Sequence, residues 1–327
     1  MKVAVFSAKK YDQQSFTEWA AQGLEFSYFD VPLDKHSAKL TQGYQAVCVF
    51  VNDDLSSPVL AELKAMGVGM IALRCAGFNN VDLAAAKQLG LRVARVPAYS
   101  PEAVAEHTAA MILCLNRKLH KAYNRVRDDN FALDGLLGFN LHGKTVGLIG
   151  TGRIGVATAK ILLGFGMKLL CYDIQVNDEL VQAGARYVPL EQLWAESDLI
   201  SLHCPLTPQT RHLINDTSLA LMKDGVMLIN TSRGGLIDTK AVIKALKSRK
   251  IGYLGLDVYE QEADLFFQDL SGQLIDDEVF KRLLTFPNVL ITGHQAFFTQ
   301  EALQQICQVT SDNLLAFKAN SLSGNEL

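Results

Sequence analysis

Short apolar runs alternate with amphipathic stretches along most of the chain. In the first hundred residues, runs at 3–6, 26–29, 46–51, 70–74 and 92–96 have the length and composition of buried strands. Stretches of helical period lie between several of them, at 14–23, 58–66 and 82–89, with Gly67 and Gly90 where helix C-caps belong. This alternation predicts parallel strands joined by crossover helices, a doubly wound α/β sheet. The segment Pro97-Ala98-Tyr99-Ser100-Pro101 breaks the pattern. Ser100 suits an N-cap and Pro101 a first helical residue, so a long helix is predicted from there to about His120. A second set of buried strands follows at 146–149, 169–172, 199–203, 226–230, 254–258 and 289–292. One last helix, from Glu301 to about Phe317, has no strand after it and is expected to return to the first domain. The predicted organisation is 1–100 plus 298–327 as one domain and 101–297 as the other, with a cleft between.

The join between strand 146–149 and the next helix is the most informative stretch. It reads Gly150-Thr151-Gly152-Arg153-Ile154-Gly155, and the following strand ends in Asp173. Gly150 would allow the tight turn out of the strand. Gly152 would let a pyrophosphate approach the backbone, and Gly155 would let the helix pack close to the strand. The free N–H groups and dipole at the helix start favour an anion. Asp173 comes 23 residues after Gly150, near the roughly 20 expected of an acid that binds a ribose 2′-hydroxyl. A carboxylate there repels a 2′-phosphate, so NAD is expected over NADP. A methyltransferase also uses a glycine turn and a strand-end acid; later strand ends must separate the two.

Ligands in a doubly wound sheet sit outside the carboxyl ends of the strands. The polar residues at those ends are Asp173, His203-Cys204-Pro205, Thr231 to Gly235, Asp257 to Glu262, and His294. Arg233 could grip a carboxylate through two parallel hydrogen bonds, or be a surface residue in a turn. His294 is suited to move a proton near neutral pH. A carboxylate beside it would favour the charged imidazolium, but nothing local separates Glu262 from Glu260 for that part. The remaining histidines are read as structural, with His107 a borderline case.

Composition narrows the classes. A chain of 327 residues, half apolar and a fifth charged, can bury two cores. A net charge of −3 gives no basis for nucleic acid or an anionic membrane as partner. No apolar run approaches the roughly 20 residues of a membrane helix, and the N-terminus lacks the apolar core of a secretion signal. The six cysteines are scattered, with no CxxC and no metal spacing, as in a reduced cytoplasmic protein.

The ordered series RCAGFNNVDL (74–83), VPAYSPEAVAEHT (96–108), GLIGTGRIG (147–155), SLHCPLTPQTRHLIN (201–215), INTSRGGLID (229–238), GLDVYE (255–260) and TGHQAFFT (292–299) spans nearly the whole chain. It resembles the D-isomer-specific 2-hydroxy-acid dehydrogenases, and RCAGFNNVD and VPAYSPEAVAEH resemble their lactate-forming bacterial branch. The resemblance implies a flavodoxin-like substrate domain, a Rossmann NAD-binding domain, and NADH-dependent reduction of pyruvate to D-lactate. It implies that Arg233 binds the substrate carboxylate and polarises the ketone, that His294 is the general acid, and that Glu262 holds and charges His294. It further implies that the Ala76-Gly77 backbone helps hold the carboxylate and that Tyr99 and Phe297 line the pocket. Arg153 and Ile154 would meet the pyrophosphate. Cys204, Pro205, Thr231, Ser232 and Asp257 would lie along the rest of the cofactor. An Arg/Glu/His set at three later strand ends has no use in a methyltransferase. The family usually assembles through its nucleotide domain, so a homodimer or homotetramer is expected. The loop after Glu262 is longer here than in the wider family. A related enzyme for a bulkier 2-keto acid and an NAD-sensing binding protein on the same scaffold are the two alternatives.

Overall fold

The computed structural model describes residues 1–327, the side chain of Asp264 excepted. The chain divides into two compact units, Met1–Ser100 with Phe297–Leu327, and Pro101–Ala296. Each is a parallel sheet covered by helices, as the alternation of apolar runs predicts.

The first unit contains β1 (Lys2–Val5), β2 (Glu25–Tyr28), β3 (Ala46–Val49), β4 (Met70–Leu73) and β5 (Arg92–Arg95), in the order β2-β1-β3-β4-β5. β3 and β4 are buried at every position, which is why their sequences run apolar without alternation. The first helix, Lys10–Trp19, starts four residues before the predicted 14–23, because the Asp12 carboxylate accepts the Lys9 N–H at 2.8 Å and secures an earlier start. Asp12 also pairs with the buried Arg74, which follows β4, at 3.2 Å. The Arg74 guanidinium lies 5.0 Å from the centre of the Phe50 ring and donates to the Ser7 carbonyl. The last helix, Gln300–Lys318, belongs to this unit: Asn313 donates to the Arg95 carbonyl at 3.0 Å, and the Phe317 ring lies against Gly69.

The second unit contains β6 (Thr145–Ile149), β7 (Lys168–Tyr172), β8 (Arg186–Tyr187), β9 (Leu199–Leu202), β10 (Val226–Asn230), β11 (Ile251–Leu256) and β12 (Val289–Ile291), in the order β12-β11-β10-β9-β6-β7-β8. The strand order reverses between β6 and β9, so the crevice at that switch point opens at the glycine turn. The long helix predicted from Pro101 to about His120 is divided. It runs Pro101–Arg117, Lys118 takes a left-handed φ of 51°, and a second helix spans Leu119–Arg127. No helix among the described residues is long and apolar enough to cross a membrane. Five of the six cysteines are buried.

Candidate active site

The carboxyl ends of β6, β7, β9, β10, β11 and β12 carry the functional side chains of the second unit. The turn after β6 leaves no choice of residue at two positions. Gly150 has a φ of 95°, and a Cβ on it would lie 2.5 Å from the Cys204 nitrogen. A Cβ on Gly155 would lie 2.1 Å from the Gly150 oxygen. At Gly152, by contrast, a Cβ would meet nothing within 4 Å. The helix Arg153–Gly164 starts there with no side-chain cap, and so leaves its first N–H groups to an outside acceptor. An open backbone approach, uncapped N–H groups and a close-packed turn fit a pyrophosphate.

The strand-end acid is held in place. Asp173 accepts the backbone N–H of Thr151 at 2.5 Å and its hydroxyl at 3.1 Å, while the Tyr187 hydroxyl donates to Thr151 Oγ1 at 2.8 Å. Cys204 and Pro205 follow β9 directly beside the Gly150 turn. The Cys204 thiol is pushed up to about 11, mainly by burial, and is a neutral wall rather than a nucleophile. Ser232 donates to the Cys204 carbonyl at 2.7 Å, joining the ends of β9 and β10. The Thr231 hydroxyl is turned inward, 2.9 Å from that of Thr108. His203 bonds Ser201 at 2.9 Å and its other ring nitrogen is buried; burial brings its pKa down to about 4, so it is neutral at pH 7.

His294 Nδ1 lies 2.8 Å from Glu262 Oε1, and both side chains are about four-fifths buried, with 18% and 20% exposed. The other Glu262 oxygen accepts the Tyr259 N–H at 2.9 Å. Glu260, which the residues alone could not separate from Glu262, is committed elsewhere: to His212 at 2.6 Å and to the Thr239 hydroxyl at 3.0 Å. With Nδ1 on the carboxylate, Nε2 is the free nitrogen of His294. The His294 backbone has a φ of 52°, a conformation that a histidine keeps only when its surroundings demand it.

Asp257 makes that demand. It has no exposed surface. Its carboxylate accepts the Thr292 hydroxyl at 2.5 Å and the N–H groups of Gln295 and Ala296, each at 2.9 Å, while its own carbonyl accepts the His294 N–H. His107 Nε2 lies 3.4 Å from the same carboxylate and 3.1 Å from the Thr292 hydroxyl. Burial would raise the Asp257 pKa, but the hydrogen bonds from His107, Thr292, Ala296 and Gln295 outweigh it and hold it at about 2. The loop that presents His294 is therefore tied to a carboxylate that stays ionised throughout the neutral range.

Arg233 follows β10, on the neighbouring strand of the sheet to β11. Its Nη1 donates to the Ser232 carbonyl at 2.7 Å, and it has no carboxylate partner among the described residues. Its backbone is fixed by close approach: a Cβ on Gly234 would lie 2.1 Å from the Tyr259 carbonyl. A guanidinium held there, with donors to spare, suits an anionic ligand.

In the first unit, Tyr99 and Phe297 meet with ring centres 6.0 Å apart, in a cluster that also holds Phe50, Phe298 and Tyr11. The Ala76 carbonyl accepts Arg95 Nη1 at 2.8 Å, and the Gly77 carbonyl faces the Cys75 thiol at 3.3 Å. The sequence reading omitted Phe50, Tyr11, Tyr187, Thr292 and the part played by His107. The strand-end rule applied to β12 would have found Thr292, whereas Phe50, just past β3, is apolar and escapes it. Nothing local marks Tyr187, on a strand of two residues.

A glycine turn beside a strand-end acid, an imidazole–carboxylate pair and a guanidinium with donors to spare on one parallel sheet define a nucleotide-dependent oxidoreductase. Known proteins place it more narrowly. The model of the D-isomer specific 2-hydroxyacid dehydrogenase NAD binding domain matches residues 109–296. The D-lactate dehydrogenase of Escherichia coli K12 is 56% identical over the whole of both chains. The apo-structure of D-lactate dehydrogenase from Escherichia coli superposes with a TM-score of 0.92 at 54% identity, again over the whole of both chains. A D-lactate dehydrogenase from Aquifex aeolicus, complexed with NAD and lactic acid, is 37% identical with a TM-score of 0.87, over 99% of this chain and 98% of that one. The chain belongs to the D-isomer-specific 2-hydroxyacid dehydrogenase family, and is an oxidoreductase that uses NAD.

Proposed function

We propose that this enzyme reduces pyruvate to D-lactate, reversibly, with His294 as the acid and Arg233 as the carboxylate anchor. The observation that carries the reading is the 2.8 Å His294–Glu262 pair, together with an Arg233 on the same sheet that has no carboxylate partner among the described residues. Full-length identity of 56% to a D-lactate dehydrogenase supports the choice of substrate.

When bound, NADH supplies a hydride to the carbonyl carbon. The chain does the rest. The Arg233 fork takes the substrate carboxylate and so fixes which carbonyl face is presented. Protonated His294, with Glu262 behind Nδ1, gives the Nε2 proton to the carbonyl oxygen as negative charge grows on it. That charge is favoured by the Arg233 guanidinium and by the donated hydrogen bond from Nε2, and most strongly in the transition state. Ala76, Gly77, Tyr99 and Phe297 complete the substrate contacts in this reading. Gly152, Arg153 and Ile154 meet the pyrophosphate. Cys204, Pro205, Thr231 and Ser232 line the remainder, and Asp257 acts through the loop it ties.

Asp173 is the ribose acid. Asp173→Ala is expected to weaken NADH about tenfold, the scale of a lost hydrogen bond to a charged group. NADPH use should rise relative to NADH. A cofactor preference equal to that of the parent, in paired kcat/KM measurements, would remove Asp173 from this role.

The second unit leaves Leu119, Tyr123, Val126, Phe131, Leu133 and Leu137 exposed, within one stretch of 19 residues. We read this apolar surface as the contact with a second copy of the chain. A monomer mass in sedimentation would refute it. The scattered, mostly buried cysteines suit the reducing cytoplasm; activity found outside that compartment on fractionation would refute the location.

The deciding experiment is NADH oxidation with pyruvate, followed by an enantiomer-specific lactate assay. Turnover to D-lactate, faster than turnover of ketoisocaproate, is expected. Preference for the branched acid would mean a bulkier natural substrate. NADH binding without turnover of any 2-keto acid would mean a sensor.

A further inference from the structure

The loop after Glu262 is anchored at both ends. Glu262 begins a short helical turn, Glu262–Asp264, and its carbonyl accepts the N–H groups of Leu265 and Phe266 at 3.0 and 2.9 Å. Phe266 is buried against Phe280, with ring centres 6.1 Å apart. At the far end, Tyr259 donates to Asp277 at 2.8 Å, and Asp277 caps the helix Glu278–Leu284. Between these anchors, Phe267 has a left-handed φ of 64°. Such a backbone is a genuine outlier for a bulky residue and persists only where neighbours over-determine it. Its ring lies 5.5 Å from that of His294, inclined at 40°. The strain therefore places an aromatic face on the proton-donating imidazole.

We propose that Phe267 is a positioning residue for His294. The Nδ1 bond to Glu262 leaves the imidazole one freedom, to swing about that bond and carry Nε2 away from the carbonyl oxygen. The Phe267 ring closes the side toward which it would swing. It also removes water from beside the imidazole–carboxylate pair, where lower polarity strengthens the attraction. Phe266, anchored in the core, holds the ring at its station. The inference rests on the proposed role of His294, and its test is chosen to separate the two.

Phe267→Ala, Phe267→Gly and Phe267→Tyr are compared with the parent. For Phe267→Ala, kcat is expected to fall about 10- to 100-fold, the scale of a misplaced reacting group. Pyruvate KM should change by less than about threefold, because ground-state binding is untouched. The solvent deuterium isotope effect on kcat should rise as proton transfer becomes limiting. Phe267→Tyr keeps the ring and should restore most of the turnover. Phe267→Gly suits the left-handed backbone, so it should lose kcat without losing Tm. A residue that served stability alone would give the opposite pair. In proton NMR of the free protein, the His294 Nδ1–H signal should exchange with water faster in Phe267→Ala. That readout is independent of turnover. Parent protein that reduces no 2-keto acid would overturn the proposed function. Parent that does, with Phe267→Ala equal to it in kcat, isotope effect and exchange, would overturn the role of Phe267 alone. A change confined to KM would also overturn it, making Phe267 a pocket wall.

Discussion

His294→Gln is expected to lose about 10²–10⁴-fold in kcat, the usual contribution of a general acid, while binding NADH as tightly as the parent. Glutamine is close in length, and its amide can still donate to Glu262, so the 2.8 Å contact has a substitute. What it cannot do is release a proton. The alkoxide would then depend on water for protonation and on Arg233 alone for charge stabilisation. The loop should survive the change, because Asp257 ties it through Thr292, Gln295 and Ala296 rather than through the imidazole. An unchanged Tm would separate lost chemistry from lost structure. Stopped-flow measurement of the first turnover, beside NADH titration by fluorescence, checks both parts. Turnover equal to that of the parent would show that another group supplies the proton.

The robustness of that loop was not readable from the sequence. Asp257 is the first polar residue after a buried run, and by position alone it looks like one more ligand at a strand end. Its carboxylate instead turns inward to backbone groups 38 and 39 residues on and to His107 on the helix Pro101–Arg117. Glu260 and Glu262 could not be told apart for the same reason. Only the fold brings His212 to one and His294 to the other. The aromatic cluster of the first unit draws on positions 11, 50, 99, 297 and 298, and no local pattern connects them.

What was readable is local in its chemistry. The strand–turn–helix from Thr145 to Gly164 states its own geometry, because Gly150 and Gly155 answer to contacts within a few residues or just past the adjoining strand. The two parallel sheets follow from short buried runs spaced by amphipathic ones. Where the reading was incomplete, competing local preferences were balanced. Lys118 is a good helix former, so nothing marked the break after Arg117. β8, at two residues, is too short to have a period. The Phe267 backbone was invisible because the left-handed turn is imposed by anchors on either side and not by a glycine.

Arg233→Lys tests the other half of the site, and its effect should be divided differently from that of His294→Gln. Lysine keeps the charge and loses the planar fork, so two parallel hydrogen bonds to a carboxylate become one movable contact. A charge-assisted hydrogen bond is worth about 1.5–3 kcal/mol, which predicts a loss of roughly 10- to 150-fold in kcat/KM. Part should appear as a rise in pyruvate KM, because the carboxylate is held equally in the ground and transition states. Part should appear in kcat, because a carboxylate on a single contact no longer aims the carbonyl oxygen at Nε2. The backbone at 233 should not follow the side chain, since the Gly234 contact with Tyr259 leaves it nowhere to move. Steady-state kinetics in both variants gives the comparison: kcat alone for His294→Gln, KM and kcat together for Arg233→Lys. Methyl pyruvate, which lacks the carboxylate, adds an internal control. The parent should discriminate strongly against the ester, and Arg233→Lys should narrow the gap. An unchanged pyruvate KM with the discrimination intact would mean that the carboxylate is bound elsewhere, and that the free guanidinium after β10 serves some other part of the reaction.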